Sequence, residues 1–206
     1  MVNNLQRDAT IAGTLDDGAE SHDLFLIGQN GGQQSTNFLG RGKLLLTGSN
    51  TYGGNTYITL RNENATTLNV SNQSMIVVLS NGNHRLPTST TVFLGGNPSG
   101  PSGGNTLANG RLVLAGVTQQ LAGLQTIGTG VSNAVVGGSA TMSMLDLNIG
   151  ASVTNIYGGL LGGPNAFEDN LMLRKSGGGI LVITNQNNSF TGGTHIASGV
   201  LVLGNP

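Results

Sequence analysis

The chain has 206 residues, of which 8% are charged against about 25% in an average soluble domain, and it carries 35 glycines and a formal net charge of −1. Its eight Lys and Arg are scattered, so no basic stripe is present to neutralise phosphates or to hold an anionic membrane, and nucleic acid is not expected as a partner. The absence of cysteine excludes disulfides, Cys-ligated zinc and thiol catalysis, and the apolar runs are far shorter than a membrane span.

With 37% hydrophobic residues the chain can bury a core. The opening, MVNNLQRDATIAG, has no basic stretch followed by an apolar one and does not read as a secretory signal. If the parent protein is exported, this chain is an excised piece of it. LDDGAESHD (15–23) then holds the densest ionisable cluster, Asp16, Asp17, Glu20, His22 and Asp23. Paired carboxylates suit acid–base work or calcium, but the spacing fits neither an EF-hand loop nor a calcium roll, so a solvated loop is expected.

GQNGGQQS (28–35) and, later, GNPSGPSGGN (96–105) lack aromatic and charged residues and read as loops thrown out from a corner. The apolar runs KLLL (43–46), MIVVL (75–79), ILVI (180–183) and VLVL (200–203) are short, β-branched or Leu-rich, and bounded by Gly, Asn, Ser and Thr. They predict an all-β chain; no stretch carries a helical period with caps.

The chain repeats itself. GRGKLLLTGSNTYGGNTYI (40–58) aligns with GGGILVITNQNNSFTGGTHI (177–196): Gly40, Gly42, Leu44, Leu46, Thr47 and Asn50 match Gly177, Gly179, Leu181, Ile183, Thr184 and Asn187 at an offset of 137. Tyr52, Thr56 and Ile58 then match Phe190, Thr194 and Ile196 at an offset of 138, so one extra residue is expected in the second turn. Gly-x-Leu-x-Leu recurs at Gly110, Leu112, Leu114 and at Gly199, Leu201, Leu203. Alternate leucines place their side chains on one face of a strand, and the leading Gly relieves the backbone at a corner.

Such rungs bury too little alone. Stacked at about 4.8 Å they share backbone hydrogen bonds and one continuous core, which is a parallel β-helix. We expect one domain over 1–206, a single-stranded right-handed parallel β-helix. At about 22–25 residues per rung this gives roughly eight or nine rungs, on the order of 40 Å long.

GKLLLTGSNTYGGNTYI and GGILVITNQNNSFTGGTHIASGVLVLGN resemble the autotransporter-associated β-strand repeat, also called the passenger-associated transport repeat, of bacterial exported proteins. LPTSTTVFLGGNP (86–98), GRLVLAGVTQQLAGL (110–124) and IYGGLLGGPNAFEDNLMLRKSGGG (156–179) look like its connecting rungs. The resemblance implies an extracellular or cell-surface structural scaffold, an adhesin stalk or fibre segment, without chemistry or cofactor of its own. The family's translocating membrane barrel has no counterpart before the chain stops at VLGNP.

Two other functions stay open. An adhesin-type module would hold surface glycans. A β-helical polysaccharide-degrading enzyme would need several carboxylates, or carboxylates with Arg or Lys, converging on one wall. After residue 23 the acids are Glu63, Asp146, Glu168 and Asp169. Glu168 and Asp169 are adjacent and would point to opposite faces of an extended strand, while Arg174 and Lys175 suit a surface ion pair.

His22, His84 and His195 are isolated, which argues against a metal; His195 matches Tyr57 and should sit on a wall. Tyr52 and Phe190 share one repeat position and should pack at corners. The sequons at Asn64, Asn69, Asn72 and Asn187 are chance products of composition. Without a capping helix, end-to-end stacking is expected, through a homopolymer or neighbouring repeats of a longer chain.

Overall fold

The computed structural model describes residues 8–30, 43–62, 74–96 and 107–204. Gly40, Gly42, Glu63, the sequons at Asn64, Asn69 and Asn72, and most of the 28–35 and 96–105 stretches lie outside the described residues. Among the described residues every regular element is a strand, and every pairing is parallel.

Taken course by course, β1 (Ala9–Ile11) and β2 (Leu24–Asn30) form the first turn of a coil, β3 (Leu44–Leu46) and β4 (Thr56–Asn62) the second, and β5 (Ser74–Leu79) and β6 (Thr91–Gly95) the third. The fourth holds β7 (Asn109–Leu114), β8 (Thr118–Leu121) and β9 (Gly123–Ile127); the fifth β10 (Ala134–Gly137), β11 (Ser143–Asn148) and β12 (Thr154–Tyr157). The sixth holds β13 (Leu160–Leu161), β14 (Leu171–Ser176) and β15 (Ile180–Ile183), and the seventh β16 (Thr194–Ile196) and β17 (Val200–Leu203).

These courses make three walls. The first is β1-β3-β5-β7-β10-β13, and the second is β8-β11-β14-β16. The third runs β2-β4-β6-β9 and resumes as β12-β15-β17. Across that break side chains stand in for the backbone: Leu124 N–H donates to Asn155 Oδ1 at 3.1 Å and Gly158 N–H to Thr126 Oγ1 at 3.1 Å. The second wall reaches down through the early courses by single bonds, with Thr51 N–H donating to Leu15 O at 2.9 Å and His84 N–H to Thr118 O at 2.9 Å.

This is a parallel β-helix, with seven courses among the described residues where eight or nine were expected. The reason is that most coils are longer than about 22–25 residues, though unevenly so. Thr56 pairs with Val92, 36 residues on, whereas Ile180 pairs with Val200, only 20 on.

The strand period of two sets the core. In β5, Met75, Val77 and Leu79 are buried and their neighbours are not. In register, Leu44, Val77, Leu112, Val135 and Leu161 form one inward column, and Ile11, Leu46, Leu79 and Leu114 another. All but Ile11 are buried in one continuous hydrophobic cluster.

The two repeat copies do not occupy the same walls. Leu44–Leu46 lies on the first wall and Thr56 and Ile58 on the third, with Asn50 at the second-wall corner between them. In the second copy Ile180–Ile183 lies on the third wall, the next corner is on the first wall, and Thr194–Ile196 lies on the second. The motif is therefore strand, corner, strand, rotated by one wall between its copies.

Corner chemistry also corrects the alignment. Asn50 Oδ1 accepts from Leu15 N–H at 2.8 Å, in the course below. The same bond, from Leu161 N–H at 2.8 Å, goes to Asn188 and not to the exposed Asn187. The inserted residue thus precedes the corner Asn, because a bond to the course below fixes the Asn in space while the turn before it absorbs the extra length.

Candidate functional site

The 15–23 segment spends its carboxylates on the next course. Asp16 Oδ2 accepts from the Thr51 hydroxyl at 2.7 Å, Asp17 Oδ2 from Gly53 N–H at 2.9 Å and His22 N–H at 2.8 Å, and Asp23 Oδ1 from Asn55 N–H at 2.7 Å. The Thr51 hydroxyl and the Gly18 amide hold Asp16 below the usual carboxylate range, and the His22 and Gly53 amides do the same for Asp17. These are inter-course clamps. Among the described residues no three potential ligands gather to hold a metal.

A carboxylate depressed in the folded state stabilises it above the ordinary range and loses that contribution as pH falls through its folded value. The thermal midpoint is therefore expected to drop between about pH 5 and pH 2, and to drop less in an Asp16→Asn, Asp17→Asn double variant. Parallel pH profiles of the two proteins would show that the clamps contribute nothing.

Asp146, Arg174 and His195 stand in register on the outer face of the second wall. Arg174 Nη1 bonds Asp146 Oδ2 at 3.0 Å, as the expected ion pair, and Ser176 Oγ donates to Asp146 Oδ1 at 2.6 Å, so both carboxylate oxygens are engaged. His195 is exposed, as a wall position requires, and His84 Nδ1 accepts from Gln120 N–H at 3.2 Å.

Lys175 departs from the expected surface role. The strand alternation turns it inward, where it is fully buried, and Nζ donates to the carbonyls of Ser176 at 2.6 Å, Gly177 at 2.9 Å and Ser198 at 3.3 Å. Burial pushes its pKa below the usual lysine range, with the Asp146 charge opposing. It ties the corner of course six to course seven.

Glu168 and Asp169 also depart from expectation, because they lie in a turn and not in a strand. Glu168 bridges to Arg111 Nη2 at 2.5 Å, with both side chains mostly buried. Burial raises its pKa, but the Asn165 side chain and the Arg111 charge outweigh this and leave it below the usual range.

Tyr52 packs at a corner as expected. It is 4% exposed, its hydroxyl meets Thr56 Oγ1 at 2.5 Å, Thr56 continues to Thr90 at 2.9 Å, and burial pushes its pKa up to about 12. Phe190 packs part-buried against the core in the corresponding corner of the rotated copy.

Two features went unseen in the sequence. Phe25, Tyr57 and Phe93 stack on the outer face of the third wall, with ring centroids 4.7 and 4.9 Å apart and planes within 11° and 10°. Their spacings of 32 and 36 residues disclose nothing until the register is known. The two stacking contacts use both faces of Tyr57 and one face each of Phe25 and Phe93, so the stack splints three courses together, each pair adding about 0.5–1.5 kcal/mol beyond its buried area, and leaves no open face between rings for a sugar.

The other feature is a groove on the outer face of the first wall. Leu45, Val78 and Val113 form an outward apolar row in register, flanked by Asp8 and Lys43 at one end and by the Arg111–Glu168 pair at the other, around a cavity of about 510 Å³. Continuous apolar runs such as LLL and IVVL were its signal, since they load both faces of a strand.

Compared with known proteins, residues 39–59 and 173–203 match the model of the passenger-associated-transport-repeat family. Both stretches contain the internal repeat described above. No curated protein and no solved structure matches the chain.

Proposed function

We propose that this chain, an autotransporter passenger segment by its passenger-associated-transport repeats, serves as an extracellular or cell-surface scaffold, a stalk or fibre segment without catalysis of its own. One observation carries the reading: a single hydrophobic cluster extends through the courses, so the coil behaves as a rod whose length scales with course number. The polar groups support it. Asp16, Asp17, Asp23, Asn50, Asn155 and Lys175 each make a hydrogen bond that joins one course to another.

Course seven offers Ile196 and Leu203, in register with the inward Lys175 and Ile183 and 50% and 74% exposed, as a surface on which a further course packs. That course comes from neighbouring repeats of a longer chain or from a second copy stacked end to end.

The test is display and shape. Expressed within its parent, the segment should be stripped from intact cells by added protease and bound by antibody without permeabilisation. In solution its maximum dimension from X-ray scattering should grow with each added course. Protection from protease on intact cells would overturn the location, and hydrolysis of a polysaccharide panel lost on Asp146→Asn would overturn the non-catalytic reading.

A further inference from the structure

The turn at 163–170 holds a side chain that neither the core nor the walls use. Phe167 is half exposed, stands outside the hydrophobic cluster, and stacks on no other aromatic among the described residues. Its backbone has φ +63, a left-handed conformation that a bulky residue adopts only under strain.

The surrounding turn is braced so that this conformation persists. Glu168 N–H donates to Asn165 O at 3.1 Å and Asn170 N–H to Phe167 O at 3.2 Å. Gly137 N–H donates to Glu168 O at 2.9 Å, Thr191 N–H to Asp169 O at 2.8 Å, and the Glu168 carboxylate is locked to Arg111. The backbone that carries the ring is thus pinned to two neighbouring segments, which removes the loop-ordering part of the cost of binding.

Beside it lies an open cleft of about 580 Å³ between this turn and the 187–189 turn, lined by Leu160, Asn165, Phe167, Asp169, Asn187 and Ser189. That volume falls in the range of small-molecule sites, about 300–1,000 Å³. The Asp169 carboxylate and the Asn187 side-chain amide have no hydrogen-bond partner among the described residues.

We propose that this cleft binds a neutral carbohydrate, with Phe167 as the platform. The negative face of an aromatic ring attracts the polarised C–H groups of a pyranose face, while a carboxylate and side-chain amides accept from and donate to its hydroxyls. Among the described residues no Lys, Arg or His lines the cleft, so an acidic sugar or a phosphate would meet Asp169 without a counter-charge. Unlike Tyr57, stacked on both faces in the third wall, Phe167 has a ring that no other aromatic among the described residues covers.

The experiment is an amide-shift titration of the ¹⁵N-labelled 206-residue chain with lactose, cellobiose and N,N′-diacetylchitobiose. Saturable shifts confined to residues 163–170 and 187–191 are expected with at least one of them, half-saturating at about 1–10 mM. Phe167→Gly should weaken that binding by about tenfold or more while leaving the thermal midpoint equal or higher, because glycine takes the left-handed conformation without strain. Asp169→Asn should weaken it too. The proposal is overturned if all three sugars leave these amides unmoved, or if Phe167→Gly retains full affinity. Shifts produced by an uncharged Val-Leu-Val peptide and by none of the sugars would also overturn it, making the cleft a peptide site.

Discussion

Leu46→Asp is expected to unfold the coil around courses one to three, costing about 4–5 kcal/mol, the penalty of an uncompensated charge in the interior. Leu46 is fully buried between Ile11 below and Leu79 above, and among the described residues no cation stands in that column to pair with an introduced carboxylate. A charge there must be either desolvated or released by opening the stack. Leu45→Asp is the matched control. One residue away, it faces the outer groove beside Lys43, and its expected cost is about 1 kcal/mol, the typical point-mutant effect. Chemical denaturation of the pair measures the difference, and equal midpoints would mean that the inward and outward faces are wrongly assigned.

Gly179→Ala is expected to cost about 1–3 kcal/mol, at the upper end of that range, through overpacking. A Cβ there would stand 2.2 Å from Gly150 O, 2.6 Å from Val153 O and 2.7 Å from Ile149 Cγ2. Two of these atoms are backbone, so course six would have to lift from course five, breaking the bonds from Gly179 N–H to Ile149 O at 3.0 Å and from Ile180 N–H to Val153 O at 2.8 Å. Gly150→Ala in the same corner meets nothing nearer than Val153 Cγ2 at 3.9 Å, and its expected effect lies within about 0.5 kcal/mol. Thermal unfolding of the two variants separates close approach from simple loss of glycine flexibility; indistinguishable midpoints would sink the argument.

That pair also refines the meaning of the leading glycines. They do two different jobs. All four, Gly110, Gly177, Gly179 and Gly199, clear a backbone carbonyl that an added Cβ would strike, and Gly177 and Gly199 in addition take left-handed backbone, with φ +72 and +75, as a corner demands. Both jobs leave the same letter in the sequence.

The apolar alternation, the Asn and Gly corners and the repeated motif were sufficient to read a stacked parallel coil with Leu44, Leu46, Leu181 and Ile183 inside. Each of these is a local property: side-chain parity has a period of two, and a corner needs only the residues that make it. The candidate sites were less legible. Phe25, Tyr57 and Phe93 become a stack, and Leu45, Val78 and Val113 a groove, only when courses of unequal length come into register. Lys175 was misplaced because its own strand alternation was read as surface, and Phe167 drew no notice because its strain is a backbone angle.

The sequence by itself determined that this chain coils, which residues face inward, and that its polar groups turn corners. Only the tertiary structure decided which wall each rung occupies, so that the second motif copy sits one wall round from the first. The physical reason is that inward and outward faces follow from alternation within one strand, while register between courses is set by connections that place partners anywhere from 20 to 36 residues apart.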